Sequence, residues 1–436
     1  MVKSMKICLY FCLMILLLTI DSGTNASDLS SVSIHGIISQ GYIKSTENNY
    51  LGDTKDGTFE FNEMGINFTT ELTDRLNLGM QMFAQDKGYF GNDNITIDWA
   101  FARYRFKDYF GLMAGRIKGP VGFYSEIRDI DSLRTFILLP QSVYMESLRE
   151  LLIGIKGVGI YGDLPYGLSY KFLYGTGDSP TGYLESGVPL VLEGTTAILM
   201  SRNDPYASFM NDISYNVNLT SFSQQSNYSM GAVEWRPPIE GMRFMVSGAQ
   251  GLADIVLDID ISSENNTLLQ MLQIAGAERR SNTSVRLNQP VELNARMAVF
   301  SMEYIWQETT FVAEGVQYFL KVRELEDTLK PYGYYVSVSQ RVTDWLGVGA
   351  YYSYQNFDPE DRNGKKFEAA TGYPDYWIWF GDLCLAFQFD INMNWIAKAE
   401  AHLLDGIWQV DVFSDDKKLD YSRDWFMFCM KLSYSF

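Results

Sequence analysis

From Phe426 to Phe436 the chain alternates strictly: Phe426, Phe428, Met430, Leu432, Tyr434 and Phe436 share one side of a strand, with Met427, Cys429, Lys431 and Ser433 on the other. A terminal strand with so apolar a face invites edge-to-edge association in water, but it suits the lipid-facing wall of a closed barrel. The same two-residue period recurs upstream. Trp377, Trp379, Leu383, Leu385, Phe387 and Phe389 alternate with Asp382, Cys384, Gln388 and Asp390. Trp395, Ala397, Ala399, Ala401 and Leu403 alternate with Lys398, Glu400 and His402, and Met64, Ile66, Phe68 and Leu72 oppose Glu63, Asn67, Thr69 and Glu71. A charge facing hydrocarbon at mid-depth costs roughly 2 to 4 kcal/mol, so the charged faces belong to a polar lumen.

Segments of this kind are expected near 32–44, 58–72, 76–86, 95–106, 109–118, 151–162, 166–176, 227–236, 241–252, 291–306, 309–321, 332–341, 346–356, 377–390, 395–405 and 421–436, sixteen in all. Thr73 to Arg75, Lys107-Asp108, Asp163 to Pro165, Pro237 to Glu240, Gln307-Glu308, Thr343-Asp344 and Asn392 to Asn394 are short turn formers joining them at one end. The polar stretches 119–150, 177–226, 253–290, 357–376 and 406–420 join them at the other. The pattern predicts an all-β fold, a transmembrane antiparallel β-barrel of about 16 strands with short periplasmic turns and long extracellular loops; the even count puts both termini on the periplasmic side. Tyr332, Tyr334, Trp345, Trp377, Trp395 and Trp425, near segment ends, suit interfacial aromatic girdles. No internal repeat or second domain stands out, and strand pattern begins at Val32, leaving no room for a plug domain.

The other end of the chain supports export. Lys3 and Lys6 precede the apolar run Ile7 to Ile20, followed by Ser22, Gly23, Thr24, Asn25 and Ala26, the order of a signal peptide over residues 1–26, with the barrel occupying 27–436. The apolar run is too short for a spanning helix, which needs about 20 residues. The formal charge is −18, and removing the leader takes away two lysines and Asp21, giving −19. So acidic a chain argues against nucleic acid as a partner. Aromatics make up 15% of residues while mean hydropathy is −0.10, a balance natural for a barrel with a wet lumen. Beyond the leader lie only Cys384 and Cys429, on segments that are not sequential neighbours, which favours two unpaired small residues over a disulfide, and neither has metal-ligand company in the sequence. No metal site and no cofactor is expected.

The stretch Gly119 to Glu150 is unlike the other loops. Arg116, Lys118, Glu126, Arg128, Asp129, Asp131 and Arg134 interleave charges of both signs before the apolar Phe136, Ile137, Leu138, Leu139 and Pro140. A loop hanging in solvent has little use for that apolar block. Folded into the barrel, it would pack Phe136 to Pro140 on the inner wall and aim Glu126, Asp129 and Asp131 at facing bases, narrowing the lumen and setting a transverse field. Lys156, Lys171 and Arg296, each between non-polar neighbours, and Lys398 and Glu400 are further candidate lumen charges; the bland alternative for each is a solvated wall charge. Arg103 and Arg105 share a face with Trp99 and Phe101, which strict alternation does not reconcile with a polar lumen unless a bulge or the barrel rim intervenes.

Two regions carry a resemblance. The alternating aromatic ending with a terminal Phe resembles the closing strand of bacterial outer-membrane barrels, in which such residues, here Tyr434 and Phe436, are read by the barrel-assembly machinery. Gly115-Arg116-Ile117-Lys118-Gly119-Pro120 with Gly122, Phe123 and Tyr124, the Arg128-Asp129 pair and Leu138 to Ser142 look like the third-loop region of Gram-negative porin-like proteins. The chain is similar to the wider sixteen-strand porin superfamily, with phosphate-selective porins as more distant relatives, although their lysine-rich ladder is not evident. The resemblance implies a homotrimer in the outer membrane, contact with outer-membrane lipid and lipopolysaccharide, water-filled channels for small hydrophilic solutes and ions, and a constriction built from the loop charges. A channel specific for sugars, carboxylates or phosphate is the second expectation; Tyr335, Tyr351 and Phe380 would then form an aromatic slide. A barrel enzyme is a distant third, since His35 and His402 are the only histidines and sit on segments expected to lie far apart.

Overall fold

A computed structural model describes residues 32–149, 154–177, 213–224, 227–274, 276–323, 328–371, 373–410 and 421–436; the leader and most of the stretches 177–226 and 406–420 lie outside them. The wall consists of β1 Ser33–Ser45, β2 Asn62–Thr73, β3 Leu76–Asp86, β4 Thr96–Lys107, β5 Phe110–Lys118, β6 Gly154–Leu164 and β7 Leu168–Thr176. It continues through β8, in two pieces (Ile213–Gln224 and Tyr228–Trp235), β9 Met242–Ser263, β10 Ser284–Trp306, β11 Thr309–Val322 and β12 Tyr332–Thr343. The last four are β13 Leu346–Asn356, β14 Trp379–Asp390, β15 Trp395–Gly406 and β16 Asp424–Ser435. Each pairs antiparallel with the next, and β16 returns to β1, from Ile37 opposite Ser435 to Ser45 opposite Met427. Sixteen strands therefore close on themselves with no free edge. The short turns fall where turn-forming residues predict them.

Side-chain direction follows the alternation. On β16, Phe426, Met430 and Leu432 are exposed on the outside while Met427, Cys429 and Lys431 are buried inside; on β15, Leu403 is outside and Lys398, Glu400 and His402 are inside. On β4 a register irregularity opposite Gln81 and Met82 leaves Asp98 out of the pairing and turns both Trp99 and Phe101 into the lumen. Arg103 therefore faces inward with them, its guanidinium 5.9 Å from the Phe101 ring and 5.8 Å from the Tyr161 ring. The aromatics and the bases are both internal, and cation–π contact reconciles them.

Three local expectations are corrected. The stretch 253–290 is largely strand: β9 and β10 run on as a long hairpin, from Met242 opposite Tyr304 to Ser262 opposite Ser284, bearing a helix α1 (Asn266–Ile274) near its tip. Ile255, Leu257, Ile259 and Ile261 do alternate there, but Asp254, Asp258 and Asp260 between them read as loop; Asp260 instead accepts from Nε and Nη2 of Arg286, each at 2.6 Å. The stretch 357–376 likewise holds a short helix, α2 (Lys365–Thr371). Trp377 and Trp425 are not girdle residues. Both are buried with Tyr50, Phe61, Phe357 and Ile378, where loops converge above β14–β16. Trp345, Trp395 and Tyr334 are exposed on the outer wall, as a girdle requires.

Candidate functional site: the third loop and its clamps

The segment after β5 turns inside the barrel and is buried along most of its length. Val121, Phe123, Leu139, Val143, Tyr144 and Met145 pack against inward Met230, Met245, Val299, Val312 and Val316 of β8–β11, while Phe136 lies on Tyr351, Cys384 and Ala386. The apolar block is thus wall packing, as its sequence predicts. The loop needs close approaches to fit. Gly122 has φ +68°, a conformation that favours glycine, and a Cβ there would meet the Tyr144 hydroxyl at 2.4 Å. Gly333 on β12 lets the carbonyl of Ser142 approach to where its own Cβ would be, 2.7 Å away.

Polar clamps hold the loop at three places. Glu314, buried on β11, accepts from the Phe123 amide (2.9 Å), the Tyr144 and Tyr335 hydroxyls (2.5 Å each) and the Ser301 hydroxyl. On β15, Glu400 accepts from the amides of Ile137 (2.6 Å) and Leu138 (3.2 Å), and Lys398 donates to the carbonyls of Asp131 (2.7 Å) and Arg134 (2.6 Å). The third is an ionic knot. Asp131 pairs with Lys431 (2.9 Å) and Arg134 (3.2 Å) and accepts from Ser433 (2.5 Å); Lys431 also pairs with Glu63, which pairs with Lys87 (2.9 Å), which reaches Glu146 (3.2 Å), which takes Arg128 (2.7 Å). Asp129 is held by Lys118 and Gln81, both at 2.6 Å.

These contacts correct the transverse-field expectation. Asp129, Asp131, Arg128 and Arg134 lie inside the packing, each neutralised by a partner there: Lys118, Lys431 with Arg134, Glu146 and Asp131 respectively. Burial pushes the Asp131 carboxyl up, but Lys431, Lys398 and Arg134 outweigh it and hold the carboxyl below its ordinary range. Glu146 is treated alike by burial and then by Arg128, Lys87 and Arg149, and is brought down to about 2. Glu126 differs: its side chain is 43% exposed, and it meets the inward Lys171 of β7 at 2.5 Å. Arg103, Arg105 and Tyr161 share that inward face.

The remaining candidates divide by face. Lys171, Lys398 and Glu400 are internal, and Lys118 reaches inward from the last position of β5. Arg116 and Lys156 are register partners on the face opposite the buried Ile117 and Ile155, so both lie on the outer side of the wall. Arg296 is likewise outside, sharing its face with the exposed Phe300 while Met297 and Val299 point in. An apolar neighbour on each side signals an isolated charge but not which face it takes. Tyr335, Tyr351 and Phe380 do face inward, yet all three are buried under loops, so they form packing and not a slide. Sequence reasoning missed Glu314, Glu146, Lys87 and Asp98. Glu314 was findable: it stands between Ala313 and Gly315 at the inward register of a strand that is otherwise apolar there.

No protein-family model and no curated protein sequence matches this chain. Solved structures do. Outer-membrane OmpT of Vibrio cholerae has 10% sequence identity, covers 94% of this chain and 99% of its own, and superposes with a TM-score of 0.57; its refolded trimer form gives 0.54. The anion-selective porin of Comamonas acidovorans has 11% identity, covers 94% of this chain and all of its own, and gives 0.50. OmpF of Salmonella typhi, solved with daunomycin, has 12% identity, covers 93% and 98%, and gives 0.52. The chain has the closed sixteen-strand fold of the outer-membrane porins.

Proposed function

We propose that the protein is an outer-membrane porin, a water-filled channel for passive diffusion of small hydrophilic solutes and ions, exported after removal of residues 1–26 and assembled as a homotrimer. The observation that carries this reading is the third loop, packed along β8–β16 inside a closed barrel and fastened at Glu314, Glu400 and Asp131. A loop so fixed narrows a lumen without moving, and flow through it needs neither an energy source nor covalent chemistry. The outer apolar band and the terminal Tyr434 and Phe436 support insertion in the outer membrane by the barrel-assembly machinery. The group of Arg103, Arg105, Lys171 and Glu126 carries both signs of charge and supports general or mildly selective diffusion over a dedicated substrate site.

Among the described residues one arrangement resembles a nucleophile with its base, and its burial disfavours a barrel enzyme. Cys384, His402 and Asp382 adjoin, but His402 is 0% and Cys384 1% exposed, sealed beneath Phe136, with no room for a substrate. Liposome swelling with sugars and amino acids of graded size tests the proposal. Rates falling smoothly with solute size support a diffusion channel; saturable uptake of one solute class favours a specific channel instead.

A further inference from the structure

The sealed cluster beneath the third loop holds a second arrangement that the pore reading does not use. Cys384 on β14 and His402 on β15 are register partners, and Glu400 lies two residues along the same inward face. His402 Nε2 stands 3.3 Å from Glu400 Oε2 and 3.9 Å from Cys384 Sγ, and the three donor atoms lie within 4.8 Å of one another. On its other side His402 Nδ1 faces both carboxylate oxygens of Asp382, at 3.0 and 3.2 Å, and Asp382 in turn accepts from the Tyr351 hydroxyl at 2.7 Å.

The chemistry of this grouping is specific. A proton on Nδ1, donated to Asp382, leaves the Nε2 lone pair facing a carboxylate oxygen and the Cys384 sulfur, and once the thiol gives up its proton, as metal binding requires, three electron-rich atoms converge there. A positive centre belongs between them. Tetrahedral zinc with ordinary bond lengths sets ligand-to-ligand edges of about 3.4 Å for nitrogen to oxygen and about 3.6 Å for nitrogen to sulfur. The first is present already, and the second needs a shift of about 0.3 Å. Asp382 stands where an outer carboxylate orients a metal-bound histidine. Cys429, on β16, is the register partner of Glu400 and is buried on the same inward side.

We propose that Cys384, His402 and Glu400 form a buried site for a borderline-soft divalent cation, zinc foremost, with Asp382 orienting the histidine. A thiolate, a neutral imidazole and a carboxylate suit zinc over magnesium or calcium, which take oxygen ligands. Because Glu400 also receives the Ile137 and Leu138 amides, the ion ties β14 and β15 to the third loop and loads as the loop closes over it. Cys384 stands without ligand company in the sequence because it meets Glu400 and His402 only across the β14–β15 pairing.

The test uses the full-length barrel, unfolded in denaturant, refolded into detergent in the presence of zinc or cobalt so that the ion is available before the loop closes, and then freed of loose metal. One metal ion per chain and, for cobalt, a thiolate-to-metal charge-transfer absorption are expected. Cys384→Ser and His402→Gln should each lose the band and the bound ion, whereas Cys429→Ser, which leaves the three donors intact, should keep both. Heat-modifiable gel migration identifies the folded barrels, and the wild-type cobalt spectrum needs no variant at all. A folded wild-type barrel with no bound metal and no band overturns the proposal. Metal that persists unchanged in Cys384→Ser and His402→Gln also overturns it.

Discussion

At the scale of single residues, burial decides what a charge can do. Asp131 and Glu126 come from the same loop and both meet bases, yet only Glu126 is exposed. Neutralising Asp131 to Asn should leave Lys431, Lys398 and Arg134 in excess inside the packing, at a cost of about 3 to 5 kcal/mol. The expected readout is a lower unfolding temperature in detergent with little change in reversal potential. Glu126→Gln should do the opposite, shifting the reversal potential toward anions and leaving stability almost unaltered; equal behaviour of the two variants would contradict the assignment. Glu314 accepts four hydrogen bonds, so Glu314→Gln sets an amide donor among donors and should cost about 1.5 to 3 kcal/mol and expose the loop to protease. Legibility at this scale was partial. Charge and apolar context mark Glu126, Lys398 and Glu400 as lumenal, but the outward Arg116, Lys156 and Arg296 carry the same signal, because face depends on register and not on neighbours.

At the scale of elements, the third loop behaves as a strap fixed by ions that titrate late. Glu146 sits at about 2 in the folded protein, against an ordinary carboxylate value of about 4.3. A depressed value contributes stability that is complete above the ordinary range and is lost as pH falls through the folded value. Asp131 acts in the same direction. The loop should therefore stay clamped at pH 5, and its protection from protease should fall away only below about pH 4; release between pH 5 and 7 would show that other groups govern it. Gly333 offers a steric counterpart. Gly333→Val should push against the Ser142 carbonyl and loosen the loop without altering any charge, raising protease sensitivity at neutral pH. That the stretch from Phe136 to Pro140 packs inward was legible, since solvent gives it no role. The ionic knot was not, because Lys431 lies about 300 residues from the loop in sequence and Glu63 and Lys87 meet it only through barrel closure.

At the scale of the whole molecule, the alternation that ends at Phe436 also describes the wall. Period-two faces and turn-forming residues were enough to count sixteen strands and to place the short turns, since in a closed barrel each strand meets the same two solvents. The pattern failed where that condition ends. Beyond the lipid the β9–β10 hairpin alternates isoleucine with aspartate, so its strands read as loop, and Trp377 and Trp425 serve a cap and not an interface. The central claim is a water-filled barrel narrowed by a fixed third loop, and single-channel recording of the purified protein in planar bilayers tests it most directly. The account predicts discrete, ohmic conductance steps, with larger steps from Gly333→Val, whose loop is displaced. A folded barrel that inserts and passes no current would contradict it.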